Sequence, residues 1–204
     1  RITPHPLRLP DSTLDLIRKL GPALARFVRA ANRLYLDADA LGAGWVQDLL
    51  DRGKPPAIVA AGRLAAFRDQ VPFVIRPDLL PVEDGLMLTE LDSVPGGIGL
   101  TAHLNEWYEN RGFRVVGGAD GMLAGFRDGL RLAPSPARRP AVGRRAAIIV
   151  SEESADYRPE MEWLAGRLAS DGVDVVAAGP EAQAVVDSLP AEGAAEVLYR
   201  FFEL

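Results

Sequence analysis

Apolar positions follow three rhythms along this chain. In the first stretch Leu14, Ile17, Leu20, Leu24, Phe27, Val28 and Leu34 recur every three to four residues, the spacing of one helix face. Asp11 and Ser12 offer a start, with Asp15 three residues beyond Ser12 in capping-box spacing. Gly21-Pro22 is expected to divide the run in two, because proline removes an interior helical hydrogen bond. Further helices are predicted near 44–52 and 56–67, so residues 1–70 read as a helical packing unit with Tyr35 and Trp45 as core or interface side chains. Next, 72–78 and 86–92 are extended runs separated by Glu83-Asp84-Gly85, a hairpin signal. Pro95-Gly96-Gly97-Ile98-Gly99 leads into a helical run over 100–110, with Gly112 as its stop. Turn signals at Gly117-Gly118 and Asp120-Gly121 predict short elements over 115–133, and the proline-rich stretch 134–140 reads as a linker. In the last third, short apolar runs at 146–151, 173–177 and 196–202 alternate with helical patterns at 157–170 and 180–188. That β-α-β-α-β order predicts a parallel sheet with right-handed crossovers. No G-x-G-x-x-G follows its first strand, which argues against a dinucleotide site there.

The expected fold class is therefore α/β with mixed α+β character, in three segments. Residues 1–70 form a helical region, 71–140 a hairpin, glycine-rich loop and helix lobe, and 141–204 the β-α-β-α-β unit. Composition narrows the function. With 204 residues, a net charge of −5 and 48% hydrophobic residues, the chain can bury a core and lacks the basic surface of a nucleic-acid binder. It has no cysteine, which removes disulfides, thiolate zinc sites and a cysteine nucleophile. No apolar run approaches the ~18 residues of a membrane span. The expectation is a cytoplasmic protein with small-molecule partners, no nucleic acid, no membrane, and room for homo-oligomerisation. All but two of the 23 basic residues are arginine, the exceptions being Lys19 and Lys54. The start at Arg1 and the end at Phe201-Phe202-Glu203-Leu204, with no turn after it, predict a piece of a longer protein or a gene that ends early.

The candidate chemistry lies in the hairpin. Residues two apart on a strand share a face, so Arg76 pairs in direction with Asp78, and Glu90 with Asp92. A three-residue loop of Glu83, Asp84 and Gly85, with Gly85 left-handed, puts Asp78 opposite Glu90 and Arg76 opposite Asp92. Facing carboxylates repel, and a divalent cation relieves them; oxygen-only ligands suit Mg²⁺, which shares phosphate oxygens with a nucleotide. Arg76 beside that ion would hold a transferring phosphoryl group. The plainer alternative is a solvated face with one Arg76–Asp92 ion pair. Gly96, Gly97 and Gly99 precede a helix N-terminus, where free amides bind phosphate or carboxylate; the alternative is a tight strand-to-helix turn. His103 and Asn105 read as helix-surface residues, and neither histidine has a metal-ligand partner at helical or strand spacing.

Arg76-Pro-Asp78 followed by Glu90-Leu-Asp92 resembles the R-x-D and E-x-N strands of the circularly permuted ATP-grasp family, whose best-known member is glutathionylspermidine synthetase. The resemblance covers roughly 70–204. It implies an ATP- and Mg²⁺-dependent carboxylate–amine ligase working through an acyl phosphate. Arg76 would contact the phosphoryl in transfer, and Asp78, Glu90 and Asp92 would hold the metal. Asp92 stands where the family has asparagine, and Pro95-Gly96-Gly97 stand where the synthetase has serines for its peptide, so glutathione is not the implied substrate. The unit from 146 resembles the family's Rossmann-like pre-ATP-grasp domain, with Glu152 and Glu153 at the position of substrate-facing acids; a solvated loop is the alternative. The family's lysine-bearing nucleotide clamp has no counterpart in this chain. A C-terminal ATP-binding half or a partner chain is therefore implied, and the chain alone is expected to bind ATP poorly. A non-catalytic small-molecule- or peptide-binding or accessory domain of the same ancestry is the rival expectation, with a merely folded domain as the third.

Overall fold

The computed structural model describes residues 2–65, 68–83, 85–93, 95–132, 146–178 and 197–201. The chain mixes α and β structure and divides into two compact units. One comprises residues 9–72 and 83–86, the other residues 1–8, 73–82 and 87–204.

The first unit is built on helix α1 (Asp11–Leu36), followed by α2 (Trp45–Leu50) and α3 (Pro56–Gly62). Helix α1 runs without interruption through Pro22, where a break was expected. Pro22 lacks one amide donor, and the remaining helical bonds on either side carry the element past that single loss. The expected capping box is also absent. Pro10 is the N-cap and no side chain caps the end, so Ser12 and Asp15 lie inside the helix; Asp15 pairs with Arg18 at 3.1 Å instead. Helix α3 stops at Gly62, five residues short of the expected end.

Apolar burial in this unit is sparse. Leu24, Ala38 and Val46 are buried, while Phe27 and Trp45 remain 59% and 65% exposed, so Trp45 is not a core residue. Polar contacts tie the unit together. The Tyr35 hydroxyl donates to Asp51 at 2.7 Å, Arg63 pairs with the same carboxylate, and Gln47 donates to the Tyr35 carbonyl at 2.6 Å. Arg68 pairs with Asp37 at 2.7 Å, and Asn32 donates to the Arg68 carbonyl at 3.1 Å. The hydrogen bond from Tyr35, with Arg63 beside it, holds the Asp51 carboxyl below its ordinary range, and the Arg68 guanidinium does the same for Asp37.

The second unit carries the strands β1 (Arg76–Val82), β2 (Gly85–Asp92), β3 (Ala146–Val150), β4 (Val175–Ala178) and β5 (Val197–Phe201), and the helices α4 (Ile98–Glu109), α5 (Gly121–Leu132) and α6 (Arg158–Ser170). A 3₁₀ turn at Ala155–Tyr157 precedes α6. Strands β1 and β2 form a two-stranded sheet, and β3 lies between β4 and β5 in a parallel sheet. Ala146 pairs with Val175 on one side and with Val197 on the other. The parallel sheet follows the expectation from strand–helix alternation. The helix expected at 180–188 and the linker at 134–140 lie outside the described residues.

The core of this unit is apolar and continuous. Ala146, Ile148 and Val150 of β3 meet Met161, Leu164, Ala165 and Leu168 of α6, Leu123, Phe126 and Leu130 of α5, and Ile98 and Ala102 of α4. In α6 and α5 these residues recur at the three-to-four spacing that makes one buried stripe. The stretch expected to hold short elements is therefore one helix, α5, because Leu123, Phe126 and Leu130 share a face. Helix α4 ends as its glycine predicts. Gly112 has φ of 83°, its amide reaches the Glu109 carbonyl at 2.9 Å, and the Phe113 amide reaches Tyr108 at 3.1 Å. Both histidines are exposed, His5 edge-on to Phe113 and His103, a surface residue of α4 as expected, edge-on to Trp163.

Candidate functional site

Arg76 opens β1, and its guanidinium lies where the base of the hairpin meets the glycine turn. Nε donates to Asp78 Oδ1 at 3.0 Å, two residues along the same strand face. Nη2 lies 3.5 Å from Asp92 Oδ2 at the end of β2, and Nη1 donates to the Gly96 carbonyl at 3.4 Å. Thr89 Oγ1 donates to the Asp78 carbonyl at 3.0 Å and ties the strands together beside this cluster. The structure thus brings together Arg76, Asp78 and Asp92. It does not bring in Glu90, which is exposed on β2 and pairs with no described residue.

The strands themselves differ from expectation. β1 begins at Arg76 rather than 72, and Gly85, which has the positive φ expected of it (137°), opens β2 instead of closing a three-residue loop. The loop is consequently shorter than the three residues from which the facing of Asp78 and Glu90 was predicted. Among the described residues no group of three carboxylate or imidazole side chains lies close enough to hold a metal ion. As arranged, Asp78, Glu90 and Asp92 do not fit a Mg²⁺ site. The Arg76 guanidinium supplies the positive charge between Asp78 and Asp92 that an ion was expected to supply.

The glycine turn has the predicted anion-binding geometry, and one of the chain's own carboxylates fills it. Gly97 is the N-cap of α4 with φ of 82°, a conformation that side chains with a Cβ rarely adopt. Its amide donates to Glu160 Oε1 at 2.6 Å, and the Leu100 amide donates to Glu160 Oε2 at 2.9 Å. Glu160, from the first turn of α6, therefore caps α4 across the helix interface and meets the positive end of its dipole. Gly99 has a different task. A Cβ there would overlap the backbone carbonyl of Glu160, so Gly99 lets α4 approach α6 closely. Gly96 contributes a carbonyl to Arg76.

Glu152 and Glu153 lie on the exposed loop that follows β3. Glu152 Oε2 is 3.6 Å from Arg158 Nη2, a loose contact, and Glu153 is exposed. Nothing in the sequence singles out Glu160, Arg158 or Ser154. A glutamate two residues past the helix start, and an arginine and a serine before it, are ordinary in isolation. Only the return of α6 against α4 gives Glu160 its partners.

No family model matches this chain, and neither a curated protein nor a solved structure was found to match it.

Proposed function

We propose that this chain supplies the substrate-side part of an ATP-dependent carboxylate–amine ligase, with Arg76 as the group that contacts the phosphoryl in transfer. The observation that carries this reading is the guanidinium at the junction of hairpin and glycine turn, in reach of Asp78, Asp92 and the Gly96 carbonyl. These side chains are partly exposed, and such pairs contribute only about 0–1 kcal/mol, so a phosphoryl group can replace them. Guanidinium also matches two phosphoryl oxygens at once. A substrate carboxylate oxygen attacks the terminal phosphorus of ATP and ADP leaves. An amine nitrogen then attacks the acyl carbon, phosphate departs, and the amine loses a proton. In this reading Arg76 stabilises charge on the phosphoryl oxygens as the first bond breaks. The nucleotide grip comes from an ATP-binding half or partner chain, and the unit containing β3 takes the place of the Rossmann-like pre-ATP-grasp domain.

A second reading has its own support. Arg76 already has internal carboxylate partners, and Glu160 already fills the turn amides, as expected of a non-catalytic binding or accessory domain. One assay separates the two: Mg·ATP-dependent ADP release by the natural gene product that carries this chain, with mixed carboxylic acids and amines. The ligase reading expects release, and a loss of about 100-fold or more in Arg76→Ala. Equal rates in that variant overturn the role of Arg76, and no release from the folded wild type favours the accessory domain.

A further inference from the structure

At the carboxyl end of β3 the chain turns tightly: the Ser154 amide bonds to the Ser151 carbonyl at 3.2 Å, and the Tyr157 amide bonds to the Ser154 carbonyl at 3.0 Å. Helix α6 begins one residue later and has no side-chain cap. Four polar atoms here are buried and have no hydrogen-bond partner among the described residues: Ser151 Oγ, Ser154 Oγ, Arg158 Nε and Arg158 Nη2. Ser154 is only 1% exposed. Buried donors are ordinarily satisfied, so four in one turn call for a partner. The two arginine atoms are the more telling. Nε and Nη2 form one edge of the guanidinium fork, the edge that grips a carboxylate through two parallel hydrogen bonds.

The position fits the chemistry. β3 is central in the order β4-β3-β5 and first of the three in the chain, so the chain leaves it through α6 to β4 on one side and comes back to pair β5 on its other side. Open parallel sheets bind ligands outside the carboxyl ends of their strands at such a point.

We infer that the Ser151–Arg158 turn is a binding site for a small carboxylate, which accepts from Arg158 Nε and Nη2 and from the serine hydroxyls. Charge selects the ligand. Glu152, Glu153 and Asp156 are exposed on the same turn and disfavour a multiply charged phosphate more than a monoanion. Glu152 also approaches Arg158 Nη2 without reaching hydrogen-bond distance, so it competes weakly with an incoming carboxylate. This site does not depend on the ligase reading, since none of its residues belongs to the hairpin.

The test is a titration of the ¹⁵N-labelled chain with sodium acetate, followed by amide NMR against sodium chloride at equal ionic strength, and a parallel titration with inorganic phosphate. Saturable shifts are expected over 151–158 with acetate, at lower concentration than with phosphate. Arg158→Gln should weaken acetate by about tenfold or more, and Arg158→Lys should do nearly as much, because it keeps the charge and loses the fork. Ser154→Ala should weaken it several-fold, Glu152→Gln should strengthen it, and Arg18→Gln, in the other unit, should leave it unchanged. Absent saturable shifts at 151–158, equal acetate affinity in Arg158→Gln, or tighter phosphate than acetate each overturn the assignment. Should Arg158→Gln fail to fold, Arg158→Lys and Ser154→Ala decide, and unchanged acetate affinity in both overturns the assignment.

Discussion

Gly99 and Glu160 show how one contact settles the role of a motif. In the chain, Gly96-Gly97-Ile98-Gly99 before a helix is compatible with an anion cradle. In the fold, the cradle amides of Gly97 and Leu100 are bound by the Glu160 carboxylate, and Gly99 is the point of closest approach between α4 and α6. A methyl group at 99 meets backbone, which cannot rotate away as a side chain can. Gly99→Ala should therefore destabilise the unit by about 1–3 kcal/mol, the ordinary cost of overpacking. Urea denaturation checks this, and a midpoint equal to wild type would show that α4 and α6 do not pack this closely. Arg76 illustrates the converse. Its contact with Asp78 follows from strand alternation, two residues along one face, whereas its contact with Asp92 on the other strand depends on how the hairpin pairs.

The elements of the first unit are held by charge more than by burial, and acid should expose this. Tyr35 comes from α1, Asp51 follows α2 and Arg63 follows α3, so their contacts join all three helices. Asp51 and Asp37 have folded pKa values below their ordinary 3.8. A depressed carboxylate stabilises the folded state above its unfolded pKa, and that contribution is lost as the pH falls through the lower, folded value. Acid unfolding of residues 9–72 should accordingly set in below the ordinary aspartate range. Tyr35→Phe removes the largest cause of the Asp51 shift, so its carboxyl should titrate at higher pH and the acid transition should move up with it. Carbon-detected NMR of the Asp51 carboxyl and circular dichroism against pH measure both. A transition that stays put in Tyr35→Phe would mean that the network does not hold these helices together.

Across the molecule, the two units rest on different forces and should unfold differently. The unit with β3 at its centre buries Ile148, Met161, Leu164 and Leu168 completely, while the helical unit buries few apolar side chains and relies on exposed ion pairs such as Arg33–Asp69 and Arg68–Asp37. Salt screens exposed pairs and leaves apolar burial almost untouched. Native-state hydrogen exchange in urea should therefore resolve two opening transitions. The one over residues 9–72 should come first and weaken further in 0.5 M sodium chloride, a concentration at which the screening length falls to roughly 4–5 Å. A single cooperative transition with no salt dependence would contradict this division.

Periodicity and turn chemistry were enough for helix α6, the parallel pairing of β3 with its neighbours, the hairpin and the Gly112 stop, because each depends on residues a few positions apart. The same local reading split α1 at Pro22, fragmented α5 and lengthened α3, since a propensity cannot weigh one missing bond against the rest of a helix. Asp78 beside Arg76 was readable from strand alternation, but the metal set was not. Whether Asp78, Glu90 and Asp92 converge depends on the length of the turn between the strands, and a shift of one residue reverses the faces. Glu160 as the cap of α4 and Gly99 as a packing glycine exist only once distant segments meet. Their meaning is set by neighbours some sixty positions away, and local sequence carries no record of them.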